Sequence, residues 1–225
     1  MLRSSVWTVT QPLAIPAGAP ARVAARLRAA NDGPRQVLHA GSDALYVDLD
    51  GRALGVVGRH AWQVPCALRT RLDVLPDVSR AAIVGGLLHL DDRPVVVGRM
   101  VRTEVPVRPL DLSGTPIDAA ALGGSGAGLT PYGDDVVCGY LAAHRAAGRT
   151  TDDLDAEVTR LLPRTTMLSA TLLECALRGE VLPEVADLLT AWGTPAATAA
   201  GAALLRVGSS SGAGLFEGTR LALAA

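Results

Sequence analysis

The residue types best suited to chemistry lie together at positions 124–135. This run holds four glycines, the adjacent carboxylates Asp134 and Asp135, and Thr130 followed by a proline, and it leads directly into an apolar stretch. Glycines let backbone N–H groups approach a ligand closely, and a threonine before a proline is a typical helix start. The simplest joint interpretation is a ligand-binding helix N-terminus whose carboxylates orient hydrogen-bond donors or accept a proton.

Two later segments predict two further helix starts of similar kind. Residues 164–169 combine Arg164 with Thr165, Thr166 and Ser169, whereas residues 208–214 hold three consecutive serines, of which Ser211 is the last, flanked by glycines. The unpaired N–H groups and the macrodipole of a helix N-terminus attract anions. If the three starts converge, they form a pocket for a small anionic ligand to which Arg164 adds a bidentate charge. Taken singly, each of the two later segments is more typical of an ordinary helix cap than of a binding site.

The paired carboxylates also raise the question of a metal. Adjacent residues point about 100° apart around a helix, so Asp134 and Asp135 can face one ligand only if the helix begins at or just before them. Magnesium or calcium would need several oxygen ligands, and no third carboxylate follows at a spacing typical of a metal site. We therefore expect no resident cofactor, and magnesium stays open as the alternative.

Composition excludes several classes of function. The 225 residues carry 21 basic and 22 acidic side chains, and only 3% are aromatic. Because the chain has neither a basic surplus nor many stacking platforms, we expect no nucleic-acid partner. Every cation is an arginine, which excludes Schiff-base chemistry on lysine. The N-terminus lacks the apolar core of a signal peptide and no apolar run is long enough to span a membrane, so we expect a cytoplasmic protein.

The texture of the sequence changes near position 110, which predicts an α+β protein with a β-rich domain at 1–110 and a helical domain at 111–225. The first half has short β-branched runs separated by turn residues and indicates an antiparallel, barrel-like sheet with one helix at 22–30. Asp50 and Gly51 form a strong hairpin signal between two of these runs. The runs lie at residues 36–40, 44–49, 53–57, 83–90 and 94–107.

The second half is rich in alanine and leucine with clear start and stop residues, and it predicts a bundle of about six helices. Prolines and glycines such as Pro163, Gly179, Pro183 and Pro195 mark their boundaries. The segment between the halves, at 110–128, is expected to form a linker that also covers a site. The helical segments lie at residues 134–147, 152–162, 166–178, 183–191, 195–206 and 212–224.

The second half also resembles the AllH-type family in its motifs. These are G-x-G-L-T-P-x-G-D-D at 126–135, R-T-T-x-x-S at 164–169 with Gly179 and Glu180 behind it, and G-x-x-S-G at 208–212. Much of that family is catalogued only as a domain of unknown function, and its named member is a subunit of bacterial oxamate carbamoyltransferase. Relatives are expected to have a histidine at the position of Ser209 and an aspartate at that of Gly214, so this chain departs from the pattern in its third motif.

The resemblance implies a component of an enzyme of purine-derived nitrogen breakdown that moves a carbamoyl group between oxamate and phosphate, together with protein partner subunits. The alternatives are a non-catalytic ligand-binding or assembly subunit, or a standalone hydrolase of a small amide. Combined with the residue chemistry, the first hypothesis assigns proton or hydrogen-bond transfer to Asp134 and Asp135. It assigns binding of the small anion to Gly126, Gly128, Thr130, Gly133, Arg164, Thr165, Thr166, Ser169, Ser211 and Gly212.

Overall fold

The computed structural model describes residues 13–223, and over this range the chain is an α+β protein with nine strands and eight α-helices. The strands are β1 (Ile15–Ala19), β2 (Gly33–Arg35), β3 (Val37–Ala40), β4 (Ala44–Asp48), β5 (Ala53–Val57), β6 (Ala67–Thr70), β7 (Ala81–Val84), β8 (Leu87–Leu90) and β9 (Arg93–Met100). The helices are α1 (Ala21–Ala29), α2 (Ala119–Leu122), α3 (Tyr132–Ala146), α4 (Asp152–Leu161), α5 (Met167–Leu177), α6 (Pro183–Ala191), α7 (Ala197–Leu204) and α8 (Ser211–Ala222), with a 3-10 turn at Leu162–Arg164.

The strands form one sheet in the order β2-β7-β8-β9-β1-β6-β5-β4-β3. Its two ends are covalent neighbours, because only Gln36 separates β2 from β3, and the Gln36 carbonyl accepts a hydrogen bond of 2.9 Å from the amide of Asp48 at the end of β4. The sheet therefore curls into a nearly closed barrel. The barrel-like expectation is confirmed.

The expectation of a purely antiparallel sheet needs correction. The pairings of β1 with β9 and of β5 with β6 are parallel. Both pairs join strands that no tight turn connects, and only a tight turn forces neighbouring strands to run in opposite directions. The relative direction of these strands follows from how the barrel closes, and no local sequence pattern predicts it.

The predicted hairpin at Asp50 and Gly51 is confirmed, while several strand limits differ from those expected. Asp50 and Gly51 both have positive φ, at 54° and 78°, and Leu49 and Arg52 exchange backbone hydrogen bonds across them, as in a two-residue hairpin of the primed type. The run expected at 83–90 is instead two strands, β7 and β8, which turn at Gly85 and Gly86. Strands β1, β2 and β6 were not predicted, and the run expected to continue to residue 107 ends as β9 at residue 100.

Helix prediction is more successful. The expected helix at 22–30 is α1, whose buried Val23, Ala24 and Leu27 pack with the apolar side chains of the barrel. All six expected segments of the second half are helical, with ends displaced by at most two residues, and residue 224 of the last segment lies outside the described residues. The one-turn helix α2 was not predicted.

Apolar packing falls into a barrel cluster, a helical cluster and a small third cluster that joins the two halves. In the third cluster Tyr46, Ala53 and Cys66 of the barrel half pack with Leu168 and Cys175 of α5. The division into domains at 110/111 stays a prediction.

Helices α3 and α8 approach each other so closely that glycines are required at the contact. A Cβ atom on Gly139 of α3 would lie 2.1 Å from the carbonyl oxygen of Leu215, and one on Gly218 of α8 would lie 1.9 Å from that of Val136. Since both obstacles are backbone atoms, a side chain could be accommodated only by moving one helix away from the other.

We predict that Gly139→Ala lowers the free energy of unfolding by at least ~3 kcal/mol, because α3 and α8 must separate. Gly98→Ala is the matched control, since a Cβ on Gly98 would have no atom within 4 Å. Urea denaturation of both variants measures the difference, and equal effects would contradict the required approach of the helices.

Candidate functional site

A cavity of about 450 Å³ lies between the barrel and the helices. The barrel half contributes side chains from β4, from β5 and from the loop that follows β5, while the helical half contributes α3, α5, α8 and the segments around them. The lining residues are Asp43, Ala44, Tyr46, Val57, His60, Ala61, Trp62, Val64, Pro65, Leu129, Thr130, Asp135, Cys138, Leu168, Leu172, Ala176, Glu180, Val181, Leu182, Val207, Gly208, Ser211 and Leu215.

Asp134 holds the helix starts together. It is 1% exposed and lies in the first turn of α3. Its Oδ1 accepts a hydrogen bond from the amide of Gly124 at 2.8 Å, and its Oδ2 accepts bonds from the hydroxyls of Ser169, at 2.7 Å, and Thr165. Asp134 does not line the cavity. Its carboxylate is therefore fully engaged in fixing the glycine-rich loop and the start of α5 to the start of α3.

Other hydroxyls complete the convergence of the three starts. Thr130 and Ser211 are hydrogen-bonded through their side-chain oxygens at 2.8 Å, which joins the start of α3 to that of α8. Thr166 donates to the carbonyl oxygen of Leu129 at 2.5 Å and accepts from the amide of Ser169, so it caps α5 and also binds the loop before α3. The sequence motifs are thus brought together in space.

The glycines of the motifs serve backbone geometry and packing. Gly126 and Gly128 have positive φ, at 114° and 96°, a region that glycine adopts without strain. A Cβ on Gly133 would lie 2.1 Å from the carbonyl oxygen of Leu122, and one on Gly212 would lie 2.0 Å from that of Leu204. Backbone geometry and packing thus account for the glycines at these four positions of the two motifs without a ligand.

The groups expected to bind an anion are largely occupied or lie elsewhere. The amides of Gly124, Gly133, Ser169 and Gly212 donate to Asp134, Ser125, Thr166 and Val207 respectively. Arg164 is exposed and is not among the residues that line the cavity. Ligand binding by these groups stays a prediction.

Asp135 has a different environment from its neighbour. It lines the cavity and is 4% exposed, and its Oδ2 has no hydrogen-bond partner among the described residues. Burial raises the pKa of the Asp135 carboxyl to about 7; hydrogen bonding by Ser211 opposes the rise, the charge of Asp134 adds to it, and Thr130 opposes it. Near neutral pH the carboxyl group is therefore populated in both the neutral and the ionised form.

Sequence reasoning missed most of the cavity wall. Tyr46, Trp62 and Val64 of the barrel half belong to no motif, so no local signal identifies them as lining residues. Glu180 lines the cavity as well, and it stands in the part of the family motif that follows α5. The Nε atom of Arg22 in α1 lies 2.9 Å from each of its carboxylate oxygens, so the charge of Glu180 is paired.

The departures from the family pattern have a structural context. A Cβ on Gly214 would lie 2.7 Å from the Cβ of Asp135 and 2.9 Å from the carbonyl oxygen of Tyr132. An aspartate at this position would therefore need a different spacing between α3 and α8. Ser209 is exposed and does not line the cavity.

The described residues also bear on metal binding and membrane insertion. Within residues 13–223, no three histidine, cysteine, aspartate or glutamate side chains form a group that could hold a metal ion. In the same range, no helix has both the length and the apolar character needed to cross a membrane.

Comparison with known proteins confirms the resemblance over the helical half. Residues 122–223 match the model of a family described as oxamate carbamoyltransferase subunit AllH. This stretch is therefore AllH-like, and it contains all the residues that the sequence motifs assigned to the site. No curated protein and no solved structure matches the chain.

We predict that Asp134→Asn lowers the free energy of unfolding by ~2–4 kcal/mol at pH 7, because it weakens three hydrogen bonds to a buried charge. Urea denaturation measures this change. Asp187→Asn, at an exposed position of α6, is the control and should change stability little. If both variants are equally stable, the anchoring role of Asp134 is wrong.

Asp135→Asn should have the opposite effect on stability, and its size should depend on pH. The folded protein keeps the Asp135 proton up to about pH 7, whereas the unfolded chain loses it near pH 4. The stabilisation that the protonated Asp135 carboxyl group contributes to the folded state is therefore fully present below about pH 4, and it is lost as the pH rises to about 7. The asparagine variant escapes this loss, so relative to wild type it should gain ~3 kcal/mol between pH 4 and pH 7.

Thermal or urea unfolding at pH 4, 5, 6, 7 and 8 tests this expectation. The difference between Asp135→Asn and wild type should grow up to about pH 7 and then level off. Parallel stability curves for the two proteins would show that Asp135 is not buried with a raised pKa.

Proposed function

We propose that the protein is a component of a carbamoyl-transferring enzyme related to oxamate carbamoyltransferase, and that its cavity binds the carbamoyl-bearing substrate. The observation that supports this best is the buried carboxyl group of Asp135, which faces the cavity without a hydrogen-bond partner for one of its oxygens among the described residues. A buried polar atom in this state costs free energy that a ligand can recover by bonding to it. The AllH-like match over residues 122–223 supports the choice of carbamoyl chemistry.

A carboxyl group with a pKa near 7 suits a carbamoyl ligand in both of its protonation states. When neutral, it donates one hydrogen bond and accepts another, which matches the carbonyl oxygen and the amide hydrogens of a planar carbamoyl group. When ionised, it accepts a proton from an attacking nitrogen. The hydroxyls of Thr130 and Ser211 lie beside it in the lining and supply further donors and acceptors.

In the proposed transfer step, the nitrogen of the acceptor amide attacks the carbamoyl carbon, a carbon–nitrogen bond forms, and the bond from that carbon to the phosphate oxygen breaks. The proton leaves the attacking nitrogen for the Asp135 carboxylate, and the electron pair of the broken bond leaves with phosphate. Positioning and charge stabilisation would supply most of the rate enhancement.

The phosphate end of such a substrate needs a positive partner. No arginine is among the described residues that line the cavity, and the sequence contains no lysine. We therefore propose that a partner subunit completes the binding of the small anion, which accords with the description of the matching family as a subunit. A cytoplasmic location and a role in purine-derived nitrogen breakdown are part of the same proposal.

The alternative of a non-catalytic assembly subunit has one observation in its favour. An open groove of about 770 Å³ runs along α6, α7 and α8, and it is bordered by apolar side chains that include Leu188, Phe216 and the half-exposed Leu205. Exposed apolar surface of this kind is typical of protein contacts. In this alternative the cavity regulates the assembly, and Asp135 takes no part in turnover.

Carbamoyl transfer from carbamoyl phosphate to oxamate by the complex of this chain with its partner subunits separates the two hypotheses. Asp135→Asn should fold and co-purify with its partners but lower turnover at least ~100-fold, the range expected for loss of a general base. The exposed Asp187→Asn is the control and should keep full activity. Unchanged turnover in Asp135→Asn would reject the catalytic hypothesis, and lost co-purification with intact folding would favour the assembly hypothesis.

A further inference from the structure

We infer that the cavity binds an amide or ureide with a large apolar body, a substrate class bigger and less polar than oxamate or carbamoyl phosphate. This inference rests on the proposed function for carbamoyl transfer at Asp135, and it replaces oxamate by a larger, uncharged amide as the acceptor. It adds the chemical nature of the remainder of that amide, which the family resemblance does not specify.

The size of the cavity is the first argument. A volume of about 450 Å³ falls in the range of ~300–1,000 Å³ that accommodates drug-sized ligands. Oxamate and carbamoyl phosphate are far smaller than such ligands. If either were the whole ligand, most of the cavity would have to hold water against an apolar wall, which is unfavourable because that water finds few polar partners.

The chemistry of the wall is the second argument. Its buried apolar part includes Tyr46 and Val57 from the barrel and Leu168, Leu182 and Leu215 from the helical half. Burial of apolar surface against such side chains stabilises a complex by roughly 25 cal/mol per Å². A ligand that fills the cavity with apolar atoms therefore gains free energy that a small polar one cannot gain.

The distribution of charge is the third argument. Asp43 and His60 are exposed and so lie at the mouth of the cavity, whereas Glu180 is buried and paired with Arg22. Asp135 is thus the one buried carboxyl of the described lining that lacks an ion-pair partner. The amide that accepts the carbamoyl group should consequently be uncharged inside the cavity and should place its amide group at Asp135.

Selectivity against carboxylates follows from the same groups. A ligand carboxylate next to Asp135 would lose its hydration without meeting a cation, and above neutral pH it would face a second negative charge. An amide of the same shape suffers neither cost. Amide and carboxylate forms of one ring compound therefore make a matched pair of probes.

Calorimetric titration of the full-length wild-type chain at pH 6.5 tests the inference with phenylurea, urea, benzamide and benzoate. Phenylurea should bind at least ~100-fold more tightly than urea, because its ring buries apolar surface that urea lacks. Benzamide should bind more tightly than benzoate by at least ~10-fold. Equal affinities within either pair would overturn the inference.

Filling the cavity supplies a second, independent measurement. Ala44→Leu and Ala176→Leu each add a larger side chain to the lining at a different wall, so both should weaken phenylurea binding at least ~10-fold by taking up its space. Two variants are used so that poor folding of the buried Ala176→Leu still leaves Ala44→Leu. Ala202→Leu, an exposed position of α7 outside this cavity, is the matched control and should bind as wild type does.

Asp135→Asn distinguishes failure of this inference from failure of the proposed function. If phenylurea binds tightly to wild type and is weakened by cavity filling but not by Asp135→Asn, the apolar cavity is supported and the role of Asp135 is rejected. If urea binds as tightly as phenylurea and Asp135→Asn abolishes the binding of both, the carbamoyl site is supported and the apolar substrate class is overturned.

Discussion

The hydrogen bonds accepted by Asp134 are the constraint on which the rest of the site depends. One buried carboxylate binds the amide of Gly124, the hydroxyl of Thr165 and the hydroxyl of Ser169. These donors come from the glycine-rich loop, the 3-10 turn region and α5, which are separated in sequence by up to 45 positions as counted from residue 124 to residue 169. A buried charge is tolerated only when its oxygens are satisfied, so the three segments are held in one arrangement. That arrangement fixes where α3 begins, and therefore where the next residue, Asp135, is presented.

The barrel is the second requirement, because the helical half alone leaves the cavity without one wall. Contacts between the halves are specific as well as apolar. Arg22 pairs with Glu180 and Arg52 pairs with Glu174, while the hydroxyl of Thr171 accepts a hydrogen bond from the amide of Ala53 at 2.9 Å. Both pairs are part-buried, and removing either arginine would leave a largely desolvated carboxylate without its opposite charge. The halves are therefore fixed relative to each other, and a ligand meets a preformed cavity.

The sequence was informative wherever the physics is local. Helix boundaries in the second half depend on caps, prolines and glycines within a few residues, and all six expected helices are present. The turn at Asp50 and Gly51 is equally local. The parallel pairings of β1 with β9 and of β5 with β6 depend on how distant strands close the barrel, so no short pattern predicts them. The split at Gly85 and Gly86 was missed because its two flanking runs read as one apolar strand.

The site follows the same rule. Convergence of the three helix starts could be expected from their shared hydroxyls and glycines, whereas the cavity wall contributed by Tyr46, Trp62 and Val64 could not, since it belongs to a different half of the chain. Some motif glycines also serve packing between backbones and not ligand contact. Glycines at 133 and 212 look like ligand contacts in sequence, but each faces a backbone carbonyl at a distance that leaves no room for a Cβ.

The geometry of a helix explains why two adjacent aspartates can have opposite roles. Neighbouring residues project about 100° apart, so when Asp134 turns inward to its three donors, Asp135 must point to a different side, which here is the cavity. The negative charge of Asp134 then contributes to the raised pKa of Asp135, after burial itself. Anchoring and reactivity are thus coupled. Asp134, which fixes the helix starts, also helps to keep Asp135 protonated, so loss of the Asp134 charge should lower the pKa of Asp135.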